Sequence, residues 1–282
     1  KLRKLGIPTV ADRVVQAALK LVLEPIFEAG FQPCSYGFRP NRRAHDAIAE
    51  IHHFTTQNYR WVVEADIEAC FDMIDHTALM DRLRCRIGDK RVLALVKAFL
   101  KAGVMTTTGS IEGTITGTPQ GGILSPLLAN IALSILDDEF ARRWDQEMGT
   151  ANQRIRRRYR HQATYRLVRY ADDFVIVVKG EQADAEKLLE EVADLIAPMG
   201  LRLSPDKTRV VHIDDGFDFL GFTIRRMRKR GSNKWFVYTR PSAKAIAAIK
   251  ARVKTMTYRN TLHRDPGYLI EYLGRVLRGW AN

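Results

Sequence analysis

The stretch Tyr165-Arg166-Leu167-Val168-Arg169-Tyr170-Ala171-Asp172-Asp173-Phe174-Val175-Ile176-Val177-Val178 decides the architecture. Two β-rich runs, 165–169 and 174–178, flank Tyr170-Ala171-Asp172-Asp173. That pattern predicts a hairpin. Adjacent carboxylates at a tight turn between apolar strands repel each other and lose solvation, so they call for a cation. Asp is common in turns, and for the dipeptide alone the polar-turn reading is the stronger one. Asp66 changes that balance, because it ends the strand-like run Trp61-Val62-Val63-Glu64-Ala65. If that strand lies beside the hairpin, three carboxylates meet at one edge of a sheet. Hard oxygen ligands of this kind suit Mg²⁺, which keeps waters and completes its shell from substrate phosphates. Two such ions about 3.5–4 Å apart activate an attacking hydroxyl and stabilise a leaving oxygen. The residues therefore point to metal-assisted phosphoryl transfer on a nucleic acid, with polymerase and nuclease both open.

Around this core the pattern predicts further elements. Thr9 is a helix cap, followed by Val10, Val14, Ala18, Leu21 and Val22 at helical spacing. After the turn-rich 33–40, Asn41 caps a helix carrying Ala44, Ile48 and Ile51. Asp75 caps another to about residue 86, 90–101 is a third, and Ser125-Pro126 opens a fourth through Phe140. The Gly- and Thr-rich 109–122 reads as a loop or irregular hairpin. A helix over 183–197 and strands at 209–213, 217–224 and 235–238 follow, with helices at 242–256 and 266–277 closing the chain. The order strand, helices, hairpin, helix, strand predicts an α+β fold whose sheet carries helices on one face.

The 282 residues are 46% hydrophobic and 27% charged, which excludes wholesale disorder. No run approaches the roughly 20 apolar residues of a membrane span. Cys34, Cys70 and Cys85 are too few and too scattered for a disulfide framework or zinc site, and a reducing cytoplasm is expected. The start lacks Met and a signal core, so the chain is expected to be cut from something longer. Residues 221–282 hold 15 Lys and Arg against Asp265 and Glu271, so the whole formal charge of +13 lies there. A second cluster is Arg154, Arg156, Arg157, Arg158 and Arg160. These clusters predict a phosphate backbone as partner, rather than a membrane surface.

Tyr170-Ala171-Asp172-Asp173 resembles the signature box of reverse transcriptases, and other boxes match in the family's order over nearly the whole chain. Leu5-Gly6-Ile7-Pro8 with Asp12-Arg13-Val14-Val15-Gln16 resembles the first fingers block of group II intron reverse transcriptases. Ser35-Tyr36-Gly37-Phe38-Arg39-Pro40 resembles the second, and Ala65-Asp66-Ile67 with Phe71-Asp72 and Ile74-Asp75-His76 the third. Gly117-Thr118-Pro119-Gln120-Gly121-Gly122 through Ile131 resembles the fourth. Leu203-Ser204 with Lys207-Thr208, then Phe217-Asp218-Phe219-Leu220-Gly221-Phe222, resemble the last palm blocks, and Arg278-Gly279-Trp280-Ala281-Asn282 a segment of the maturase X domain.

The resemblance implies an α+β right-hand polymerase. Fingers span 1–60, a palm with a split βαβ, ferredoxin-like sheet spans 61–224, and a helical basic thumb or partial X domain spans 225–282. It implies Asp66, Asp172 and Asp173 as catalytic aspartates, with Asp66, Ile67, Asp172 and Asp173 as the set for two Mg²⁺ ions. Phe71 falls where related enzymes place an aromatic gate against a ribose 2′-OH, with core packing as its other reading. Gln120 and Gly121 would meet the incoming nucleotide, and Arg3 its triphosphate. Lys207 would protonate the departing pyrophosphate, with a structural salt bridge as the rival. Arg39, the Arg156-Arg157-Arg158 insertion loop, and Arg225, Arg226, Arg228, Lys229 and Arg230 would contact nucleic acid. The implied activity is RNA-directed DNA synthesis from dNTPs on a DNA primer or target, with an RNA template, plus maturase action on an intron RNA. Nothing in the sequence sets an oligomeric state. The N-terminal extension and any endonuclease module of the family are expected to lie outside this chain. A CRISPR-associated or other domesticated bacterial reverse transcriptase is one rival. An RNA-binding maturase that no longer polymerises is another, and a metal-dependent nuclease a distant third.

Overall fold

Five apolar residues, 174–178, separate the charged ends Asp173 and Lys179 of the second hairpin strand, and their burial organises the protein. The computed structural model describes residues 6–105, 111–112, 116–118, 121–261, 263 and 265–281. By contacts between residues the chain divides into two compact units, Lys1–Ile213 and Asp214–Asn282.

In the first unit, α1 (Val10–Glu28) starts at Thr9, whose hydroxyl accepts from the Asp12 amide. The stripe expected to be buried is exposed at Val10, Val14, Leu21 and Val22, and Gln16, Leu19, Leu23 and Phe27 are buried instead. The helix carries two apolar stripes, so its period alone does not select the inner one. Gln16 goes inward because its side-chain oxygen accepts from the Ile123 amide at 2.9 Å. α2 (Ala44–Thr56) begins after Arg43 rather than Asn41, since Asp46 accepts from the Arg43 amide (2.8 Å). β1 (Trp61–Asp66) and α3 (Cys70–Met73) follow. α4 (His76–Arg84) is capped by Asp75, which accepts from the Ala78 amide (2.8 Å), and α5 (Lys90–Lys101) by Asp89. The short strands β2 (Val104–Met105) and β3 (Ile111–Glu112) pair with each other.

α6 (Ser125–Arg142) has Pro126 in its first turn and passes into a π-helical segment, Arg143–Met148. The arginine cluster expected as a loop is helical, α7 (Ala151–Tyr159). Thr150 and Gln153 form a capping box there, which outweighs the repulsion of neighbouring cations. β4 (Thr164–Tyr170), β5 (Asp173–Lys179), α8 (Gln182–Ile196) and β6 (Arg209–His212) complete the unit.

The sheet order is β4-β5-β1-β6, with every neighbour antiparallel. Residues 174–178 of β5 are all buried, so both faces of the sheet are covered. Phe174, Ile176 and Val178 join the main core with residues of α6 and α8. α2 packs on β4 and β5, yet its buried Ala47, Ile48 and Ile51 lie outside that core. Helices therefore cover two faces, where the sequence pattern led us to expect one.

In the second unit, β7 (Phe217–Phe219), β8 (Phe222–Arg228) and β9 (Trp235–Pro241) form a meander. The single strand expected at 217–224 is broken at Leu220 and Gly221, both at positive φ, and β8 runs on past 224 through Arg225, Arg226 and Arg228. Ser242 caps α9 (Ala243–Met256), and α10 (Pro266–Ala281) follows, with Arg252 donating to the Tyr272 hydroxyl at 2.7 Å. Among the described residues, no helix is long and apolar enough to cross a membrane.

Candidate active site

β1 and β5 pair antiparallel in a single register over six residue pairs. That register pairs Trp61 with Val178 at one end and Asp66 with Asp173 at the other. Directly paired residues share a face, their Cβ atoms about 4.5–5.5 Å apart. Asp172 precedes Asp173 in the turn, next to Ala171 at φ 58°. The three carboxylates thus gather at one end of the sheet. Their field is felt at the buried Cys70 thiol, which burial and then the charge of Asp172 push up to about 12, with Asp66 and Asp72 adding to it.

Lys207 reaches this corner because the backbone after α8 is tied to the end of β1. The Ser204 amide donates to the Asp66 carbonyl (2.8 Å), and Ile67 bridges Leu203. The Lys207 ammonium then lies 2.6 Å from a carboxylate oxygen of Asp66. Ile67, being aliphatic, offers only its main chain to any ligand, and its side chain is buried.

Beneath the turn lies a network that the motif comparison did not single out. Arg169 and Asp137 are completely buried, side chain against side chain, with contacts of 2.5 and 2.8 Å. Arg169 also donates to Asn130 (3.0 Å), to the Ser35 hydroxyl (2.7 Å) and to the Ala171 carbonyl (2.7 Å) inside the turn itself. Asn130 in turn donates to the Gly37 carbonyl (2.8 Å). The signal was present in the sequence: an arginine within an apolar strand and an aspartate within an apolar helix have to find each other or cost several kcal/mol. Gly37 is needed here for another reason, since a Cβ on it would lie 2.2 Å from the Ala171 amide nitrogen.

The segment 116–118 is bound to α3: the Thr118 amide donates to the Phe71 carbonyl (2.6 Å) and the Gly117 amide to the Ile74 carbonyl (2.8 Å). Phe71 is half-buried beneath this segment and meets Phe38 edge-on at 6.3 Å. Gly121 adopts φ 106° with the Gly6 carbonyl against it, 2.5 Å from where a Cβ would stand, so only glycine fits. Arg3 and Gln120 lie outside the described residues.

The expected cationic residues divide. Arg39 is drawn inward, its guanidinium committed to Glu28 (2.7 Å) and to the carbonyls of Gln32 and Ser35. On α7, Arg156 is exposed, while Arg157 and Arg158 are half-buried and donate to the carbonyls of Glu147 and Arg154. In the second unit Arg226 pairs with Asp214 (2.5 Å), and Arg225, Arg228, Lys229 and Arg230 are exposed.

Among the described residues, no three His, Cys, Asp or Glu side chains form a ready-made metal cage. The donor chemistry at Asp66, Asp172 and Asp173 nevertheless fits a hard divalent cation that brings its own waters and binds substrate phosphates. The ammonium held on Asp66 shows that the corner accepts a cation.

Residues 1–224 match the family described as reverse transcriptase (RNA-dependent DNA polymerase). The chain is 38% identical over 263 residues to Protein YkfC of Escherichia coli (strain K12), covering 87% of this chain and 69% of that protein. It is 35% identical over 281 residues to the group II intron-encoded protein LtrA of Lactococcus lactis subsp. cremoris, covering 83% of this chain and 46% of LtrA, so it spans about half of that relative. A telomerase from Candida tropicalis superposes with a TM-score of 0.56 at 12% identity over 96% of this chain and 45% of that one. At that identity the likeness concerns the fold alone, that of a right-hand polymerase.

Proposed function

Since the chain belongs to the reverse transcriptase (RNA-dependent DNA polymerase) family and is of the group II intron type, we propose that it copies RNA into DNA at the Asp66–Asp172–Asp173 corner and assists an intron RNA in splicing. The observation that carries this reading is the pairing of Asp66 with Asp173, with Asp172 beside it in the turn. Asp66, Asp172 and Asp173, with the main chain of Ile67, would hold two Mg²⁺ ions. Those ions, when bound, supply the Lewis acidity that activates a primer 3′-hydroxyl and steadies the leaving pyrophosphate.

The protein's own groups do the rest. Arg169 fixes the turn from below, so both turn carboxylates are held without reorganisation. Phe71 bounds the sugar of the incoming dNTP and crowds a 2′-hydroxyl, while Gln120 and Gly121 meet the incoming nucleotide and Arg3 its triphosphate. Lys207, whose ammonium pairs with Asp66, would give a proton to a pyrophosphate oxygen. We assign fingers to 1–60, palm to 61–224 and thumb to 225–282, with Arg156, Arg225, Arg228, Lys229 and Arg230 on template, primer and intron RNA phosphates.

The test is Mg²⁺-dependent dNTP incorporation on a primed RNA template. Wild-type extension that disappears in Asp172→Asn/Asp173→Asn, with RNA affinity retained, supports the polymerase. A full-length protein that grips RNA but never extends the primer is instead a maturase without polymerase activity.

A further inference from the structure

Strand pairing sorts the side chains of β8 and β9 onto two faces. Phe222, Ile224 and Arg226 share one face with Val237 and Thr239, and the complete burial of Ile224 marks it as the inner face. The other face carries Arg225 opposite Tyr238, Met227 opposite Phe236, and Thr223 opposite Arg240. It combines rings and cations: Phe236 is 44% exposed, Lys229 lies 5.9 Å from its centroid, and the Arg240 guanidinium lies 5.1 Å from that of Tyr238. No Asp or Glu occurs anywhere from 219 to 264, while seven Lys and Arg fall between 222 and 241.

Solvation explains the cations but not the rings, because an outer strand face that meets only water has no use for an exposed Phe beside a half-buried Tyr. Ring faces flanked by positive charge match one chemistry, that of unpaired nucleotides, which offer a flat π-face and a phosphate together. A duplex keeps its base faces inside the stack and presents only phosphates and groove edges. Phe236 and Tyr238 stand two residues apart on one strand, about 7 Å, so each can take its own base.

We propose that this outer face of the β8–β9 ribbon binds a single-stranded nucleic-acid segment, with bases stacked on Phe236 and Tyr238 and phosphates on Arg225, Lys229 and Arg240. This rests on the reading of the chain as an RNA-handling polymerase and adds to it a strand-selective surface on the second unit.

The experiment is fluorescence anisotropy with a labelled oligo(U) 12-mer and, in parallel, a blunt 12-base-pair RNA duplex, each across a salt series. Phe236→Leu and Phe236→Leu/Tyr238→Leu are expected to weaken the single strand about ten-fold or more, as loss of one or two stacks dictates. Their duplex affinity and salt slope stay at the wild-type value. Lys229→Gln/Arg240→Gln is expected to weaken both ligands and to flatten the single-strand slope by about 0.7 per phosphate lost. Phe236 is solvent-exposed, so the single variant keeps the fold, checked by unchanged circular dichroism and Tm. Unchanged oligo(U) binding in Phe236→Leu/Tyr238→Leu, or an equal loss for duplex, overturns the proposal while leaving the polymerase reading intact. A flat wild-type salt slope for both ligands would instead sink the RNA-binding reading beneath it.

Discussion

Arg169 is the residue on which the carboxylate turn depends. It is enclosed with Asp137, and its remaining N–H groups are spent on Asn130, Ser35 and the Ala171 carbonyl. Removing one member of a buried pair strands the other charge, which costs about 3–5 kcal/mol. Arg169→Met is therefore expected to lower the urea unfolding free energy by that amount, whereas an exposed arginine such as Arg156 replaced by Met should shift it by less than about 0.5 kcal/mol. Equal effects in the two variants would show that the network contributes nothing. Gly37→Ala is expected to act on the same turn by a different route. Its Cβ meets main-chain atoms of Tyr170 and Ala171, which have no flexible end to move aside. Loss of extension activity at a modest cost in stability, followed by primer extension and urea melts, is the expected signature of a displaced turn.

At the scale of elements, register and capping settle what composition leaves open. The antiparallel register of β1 and β5 brings Asp173 opposite Asp66, at the end of five consecutive buried residues. The helical state of the arginine cluster rests on its start: Thr150 accepts from the Gln153 amide while Gln153 accepts from the Thr150 amide. Thr150→Ala is expected to destabilise this helix by about 1 kcal/mol. Amide hydrogen exchange in α7 should then rise several-fold, with β4 and β5 unchanged. Protection in α7 that does not respond would mean that the helix is held by its packing on Trp144, over which Arg154 lies at 4.2 Å, and not by its cap.

At the scale of the whole molecule, charge is partitioned between the two compact units. Asp214–Asn282 carries 15 Lys and Arg against five acids, whereas Lys1–Ile213 carries 30 against 27. A polyanion held largely by the second unit should bind with a steep salt dependence, each neutralised phosphate of a single strand contributing about −0.7 to the slope of log K against log salt. Filter binding of RNA between 50 and 200 mM salt is expected to show affinity falling by at least ten-fold. A slope near zero would assign the charge to solvation alone.

How much of this was legible beforehand differs by feature. The hairpin, the strand ending in Asp66 and the caps Thr9 and Asp75 were readable because each depends on residues within a few positions of one another. The chain order of its motifs was enough to recognise the family. Other features were beyond the pattern. The inner stripe of α1 depends on the Ile123 amide, more than a hundred residues away. The start of α2 at Arg43, the break at Leu220–Gly221 and the helix through the arginine cluster each turned on local hydrogen bonds that compete with equally good alternatives. Arg169 looked like one more basic residue until Asp137, Asn130 and Ser35 closed around it from three separate segments. The sequence by itself determined which carboxylates and which boxes exist, since those are matters of composition and spacing along the chain. Only the tertiary structure decided which charges face one another and which face water, because desolvation and pairing act between segments that only folding brings together.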